Sequence, residues 1–317
     1  MYWESSNYNR RAGLKISQNI MLPQTNANWL KLTIGIVLST ILSLSVHSVM
    51  LQEMNVPFPD LSVITTPHKF IIRIFSVFGL LIFWQLADKK VNGSFMKKWA
   101  ILFLIDAMLT ESLFRGPFMD GYCTNSLGFM LINNIPKLLT IAITCGLVVF
   151  TAQKLNNMLY KFLAAIALAA VFMFAINPLM AAAWKPVMEK ISYLAPTSEW
   201  CKLPYGPNIL IPAYISFIEP VLACLEMAML ILNQLVPVKW LRLLLFALLV
   251  VTINYQLLMP FFYVLKHKGP FISNLASEGQ FALESIVLAI TTGLTWQWSS
   301  LVKSTAGEKT KKVKIAC

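Results

Sequence analysis

WLKLTIGIVLSTILSLSVHSVM, residues 29–50, carries one fixed charge, Lys31, near its start, and otherwise only uncharged side chains and His47. At about 1.5 Å of rise per residue, a run of roughly 20 such residues covers a hydrocarbon core of ~30 Å. The same kind of run recurs along the chain. Over its 317 residues, 57% are hydrophobic and 13% charged, with a mean hydropathy of +0.65. A water-soluble domain carries roughly 25% charged residues, so most of this surface is built to face something other than water.

The fold class that follows is all-α: a polytopic integral membrane bundle of about eight transmembrane helices with both termini cytoplasmic. The apolar runs predict spans near 29–50, 70–87, 99–117, 127–152, 158–184, 209–233, 241–265 and 281–301. The domain plan is a cytoplasmic N-terminal segment (1–28), a single transmembrane domain (29–301) and a basic cytoplasmic tail (302–317). The first span lies too far behind Arg10, Arg11 and Lys15, and is too long, for a cleaved secretory leader, so it reads as a retained anchor.

Net charge is +12. With the N-terminus inside, 17 of the 26 basic residues fall on inner segments and eight on outer ones, with Lys137 alone at depth. That asymmetry is what the positive-inside rule produces. Without an interleaved basic–aromatic patch, nucleic acid is not an expected partner. The expected partner is the lipid bilayer, with a small-molecule, ion or lipid substrate, and the expected location is a plasma membrane of the bacterial inner-membrane kind. No motif fixes an oligomeric state. Cys123 and Cys201 fall in two different outer loops, on the oxidising side where disulfides persist, and are a candidate pair. The Asn92 sequon lies in an inner loop and would be unused.

Ionisable groups inside a span cost ~2.5–3.5 kcal/mol each on insertion scales, which marks them for function or pairing. Depth counted from the helix ends puts Asp106, Lys137 and Glu219 near the midplane, Glu111, Arg115 and Glu284 in the outer third, and Glu226 towards the inner face. Glu111 and Arg115, four apart, share a helix face and can pair. Lys137 is the mid-depth base, so a bridge to Asp106 or Glu219 is expected. Asn133, Asn134, Asn177 and Asn254 could complete a polar site. The breaks at Asn133-Asn134-Ile135-Pro136, Asn177-Pro178 and Glu219-Pro220 free backbone carbonyls beside polar side chains, which is tolerated at depth only beside protein or water. They predict a hydrated cavity open to the outer side. Arg73 and Glu284 lie close enough to helix ends to snorkel.

No cofactor and no metal site is expected. His47, His68 and His267 are far apart and form no zinc spacing, and GxSxG, P-loop and GxGxxG motifs are missing. The segment Glu111-Ser112-Leu113-Phe114-Arg115-Gly116 resembles the ExxxR–G motif of the CAAX-processing intramembrane proteases. The FxxxH and HxxxN motifs that family also uses do not occur here, so the resemblance assigns nothing. Three functions remain open: a transporter or permease-like carrier with a polar mid-membrane site; a membrane-embedded enzyme on a lipid or lipid-linked substrate, using Glu111, Asp120 or Glu219; and a non-catalytic assembly, immunity or sensor protein.

Overall fold

A computed structural model describes residues 27–300. Most of the expected N-terminal segment 1–28 and all of the basic tail 302–317 lie outside the described residues. Apart from a single β-bridge, the described secondary structure is helical: α1 (Trp29–Gln52), α2 (Thr66–Ala87), α3 (Phe95–Leu109), α4 (Arg115–Thr124), α5 (Leu127–Lys154), α6 (Met158–Val171), α7 (Asn177–Lys190), α8 (Pro207–Ser216), α9 (Ile218–Ile231), α10 (Lys239–Ile253), α11 (Met259–Lys266) and α12 (Phe271–Ser299). A π-helical turn, Phe172–Ile176, joins α6 to α7. Five stretches are long and apolar enough to cross a membrane: Trp29–Gln52, Thr66–Ala87, Leu127–Lys154, Met158–Lys190 and Pro207–Gln234. They support an integral membrane protein. Three expected spans differ in form from continuous helices: the third divides into α3 and α4, the sixth into α8 and α9 at Phe217, and the seventh into α10 and α11. The last helix also starts ten residues before the expected 281, since Phe271–Gln280 is polar enough to hide it from hydropathy.

The bundle has two distinguishable ends. At one, Ala27 bridges Ser300 and the Asn28 N–H donates to the Ser299 carbonyl at 2.8 Å, so both ends of the described chain lie side by side. At the other, Cys123 and Cys201 are joined in a disulfide across a sequence separation of 78. Trp200 docks the loop beside this bond, donating its N–H to the Cys123 carbonyl at 3.0 Å and its indole N–H to the Tyr122 carbonyl at 2.8 Å. Around the bundle's centre, Phe83, Trp84, Phe217, Phe246, Met227 and Leu102 are all essentially inaccessible.

Where hydrocarbon faces every side, helices associate through close packing of small residues rather than by expelling water. The α1–α12 seam works this way. Ser39 and Thr295 share a hydroxyl contact at 3.4 Å, and a Cβ on Gly35 would stand 2.2 Å from the Thr295 methyl carbon. Gly35→Ala is therefore expected to push the two helices apart at a cost of about 1–3 kcal/mol. Thermal unfolding in detergent checks it, and an unchanged midpoint would show that the seam yields freely.

Prolines are managed by location. Pro220 and Pro260 lie in the first turn of α9 and α11, where the missing N–H has no intrahelical partner to lose. Pro178 instead follows just after the π turn, where its missing N–H interrupts the ladder between α6 and α7. Pro136, Pro186 and Pro212 lie inside α5, α7 and α8, each freeing the carbonyl four residues earlier. The Trp184 indole donates to the Ile132 carbonyl at 3.1 Å and the Tyr122 hydroxyl to the Asn208 carbonyl at 2.9 Å. The acceptors freed by Pro136 and Pro212 are thus each met by a side chain from another helix, as an apolar surround requires.

Candidate functional site

The site begins with two helices that stop early. α3 and α10 each run 15 residues and end at a non-glycine residue in the left-handed region, Glu111 at φ 53° and Tyr255 at φ 66°. That conformation costs on the order of 1–2 kcal/mol and persists only where surroundings enforce it. At the first break, the Gly116 N–H donates to the Glu111 carbonyl at 2.8 Å, and a Cβ on Gly116 would approach that oxygen to 2.6 Å. Glycine is needed there for close approach. Glu219 then reaches across from α9. Its carboxylate accepts from the Leu113, Phe114 and Arg115 N–H groups at 3.2, 3.0 and 2.5 Å, satisfying the N-terminus of α4.

The second break opens a cavity of about 700 Å³ between α2, α5, α7 and the 254–258 turn. Lys69, Arg73 and Lys137 line it, with the amides Asn177, Asn254 and Gln256 and the hydroxyls of Thr110, Thr140 and Tyr255. Its walls are apolar, among them Ile72, Ile141, Met173, Met180 and Met259. Leu61 and Ile64 reach its rim from the 3-10 turn Leu61–Val63. Asp60 caps that turn, accepting from the Ser62 N–H at 2.9 Å, and the Ser62 hydroxyl and amide hold its carboxyl below the usual carboxylate value.

Arg73 is the most elaborately held cation. Its guanidinium donates to the Tyr255 hydroxyl and to Thr144 Oγ1, the latter at 3.3 Å, and lies 5.2 Å from the ring centre of Phe172 in the π turn. The Phe172 side chain is fully buried, so the π turn sets one wall of the arginine's seat. The ion pairs among the described residues are Asp88–Lys98, Glu111–Arg115 and Glu189–Lys185. Lys69, Arg73 and Lys137 belong to none of them.

The predicted residues divide accordingly. Lys137, Asn177 and Asn254 come together at the cavity beside Pro136; Asn254 also donates to Ser285 at 3.0 Å. Lys137 forms no ion pair with Asp106 or Glu219, because Glu219 is committed to the α4 amides and Asp106 lies deeper. Asp106 is 2% exposed; one carboxyl oxygen accepts from the Cys145 thiol at 3.6 Å and the other has no partner. The Glu219-Pro220 break faces the α3–α4 junction instead of the cavity. Asn134 donates to the Ser112 carbonyl at 2.5 Å, bracing that junction, and Asn133 is exposed on α5. Glu111 and Arg115 pair at 3.2 Å, with the guanidinium 4.9 Å from the Phe217 ring centre. Glu226 and Glu284 are partly buried and lie outside the cavity lining.

Sequence reasoning passed over Arg73 as a snorkelling residue and did not single out Tyr255. The available signal was Arg73 two turns inside α2 with no acid one turn away. Comparison of the chain with family models, with curated protein sequences and with solved structures finds no match.

Proposed function

We propose that the protein is a membrane carrier of about eight crossings, both termini cytoplasmic, whose cavity takes an organic anion with an apolar body. The observation that carries this reading is the charge of the cavity: three cations and no carboxylate in its lining, and no ion pair to any of the three. Cations at membrane depth are costly unless matched, and a ligand's carboxylate, sulfonate or phosphate would supply the match. The methionine and isoleucine walls suit a hydrocarbon or aromatic body. The adjoining ends of the described residues, Ala27 and Ser300, agree with an even number of crossings, and the disulfide at the far end agrees with that end facing an oxidising compartment, as in a bacterial inner membrane.

An enzyme built on Glu111, Asp120 or Glu219 would need one of those carboxylates free beside the ligand, and none of them lines the cavity. Glu219 is taken up by three amides, Glu111 is paired with Arg115, and Asp120 is exposed on α4. A purely structural protein would leave no reason for a cavity of this size and charge.

Purified protein reconstituted in vesicles is expected to accumulate radiolabelled alkyl sulfonates or amphipathic carboxylates saturably, and to ignore quaternary ammonium analogues of equal size. Lys137→Ala is expected to weaken anion uptake about 10-fold, the loss of one charge-assisted contact. Equal uptake of cationic and anionic analogues would overturn the anion reading. Chemical conversion of the probe without accumulation would favour the enzyme.

A further inference from the structure

Asp106 stands directly behind the cavity and takes no part in lining it. A carboxylate so buried must have its charge compensated or carry a proton. Its surroundings offer little compensation: a long contact from the Cys145 thiol to one oxygen, and nothing to the other. The charged and titratable groups around it are Cys145 and Lys137 from α5, Arg73 from α2 and Tyr255 from the second break. α9, also packed against α3, brings Glu219, held by the α4 amides, Cys224, which accepts from the Thr292 hydroxyl, and Glu226.

Arg73 thus stands between two places where negative charge can sit. On the cavity side is the ligand; behind it, through Thr144 and its neighbour Cys145, is Asp106. We propose that Asp106 is a proton-binding site linked to the cavity through Arg73, so that an organic anion and a proton bind together. An anion at Arg73 satisfies the guanidinium and sets its own negative charge near Asp106, and both effects favour the protonated acid. With the cavity empty, loss of that proton leaves an aspartate for which Arg73 is the available counter-charge. The two occupancies are reciprocal: whatever the anion adds to proton affinity, the proton adds to anion affinity.

This inference rests on the anion reading above, and the test separates the two. Binding of an alkyl sulfonate, whose own charge does not change across the neutral range, is measured against pH for the wild type and Asp106→Asn. Wild-type affinity is expected to rise as pH falls, approaching about tenfold per pH unit where Asp106 titrates. The Asn variant, a neutral stand-in for the protonated acid, should bind with near-constant affinity at the low-pH wild-type level. Proton uptake by the wild type on adding sulfonate, read with a dye in weakly buffered solution, should approach one per anion, and it needs no variant to fold. Sulfonate binding with no proton uptake, or with the same pH slope in both proteins, overturns the proton site while leaving the anion reading intact. No sulfonate binding at any pH removes the anion reading and the linkage with it.

Discussion

Glu219→Ala is expected to unfold the protein more readily than any other single carboxylate substitution, by about 3–5 kcal/mol. The estimate follows from its partners. Three consecutive backbone N–H groups end on one carboxylate in a surround 8% exposed, and a buried donor left without an acceptor costs roughly 1–3 kcal/mol. Glu219→Gln keeps one acceptor oxygen but turns an amide donor towards other donors, so about half the loss should remain. Glu226→Gln on the same helix, with no hydrogen-bond partner among the described residues, should stay within about 1 kcal/mol of wild type. Chemical unfolding in mild detergent orders the three. If Glu219→Ala unfolds with the wild type, another group must hold the start of α4.

The largest effect on binding is expected at Arg73. Arg73→Ala should weaken the alkyl sulfonate by about 100-fold, since it removes a fixed charge and the donors that would reach the anion, at ~1.5–3 kcal/mol for a charge-assisted contact. Arg73→Lys should recover part of this. A lysine keeps the charge but cannot fork between Tyr255 and Thr144 or lie flat against Phe172. Lys69, exposed at the rim, should matter several-fold less. Titration calorimetry on purified protein decides it, and an Arg73→Ala variant that binds the sulfonate at wild-type strength would move the site elsewhere in the cavity.

Hydropathy located the helical segments because each apolar run has to be continuous to be buried in lipid or protein, and that continuity is written in the chain. The Cys123–Cys201 pair was legible for a related reason: both residues fall in loops, on the same side by charge asymmetry. Lys137, Asn177 and Asn254 could be placed at one level by counting residues. What counting cannot supply is direction around a helix and partnership across helices. Arg73 resembled a residue near a helix start, free to reach water, until α5, the π turn and Tyr255 closed around it. Glu219 and Lys137 were matched as opposite charges at one depth, whereas the carboxylate serves backbone amides that no sequence pattern advertises. The breaks at Glu111 and Tyr255 were missed because neither has glycine or proline at its left-handed position; their backbone is held there by neighbours distant in sequence.

α7 shows what the disulfide is for. None of its 14 residues is buried, so little packing energy binds it to the bundle, although it forms one side of the anion's expected seat. It is secured by the Trp184–Ile132 hydrogen bond midway and, through the following loop, by the covalent link from Cys201 to α4. Mechanically, α7 is a hinged panel with the π turn as its pivot and a strap across its free edge. If the cavity is the carrier site proposed above, such a panel is the wall least held by packing and the strap is what limits its displacement. On that reading, shortening the loop between Lys190 and Cys201 should narrow the range of guests the cavity takes, although no residue of that loop lines it.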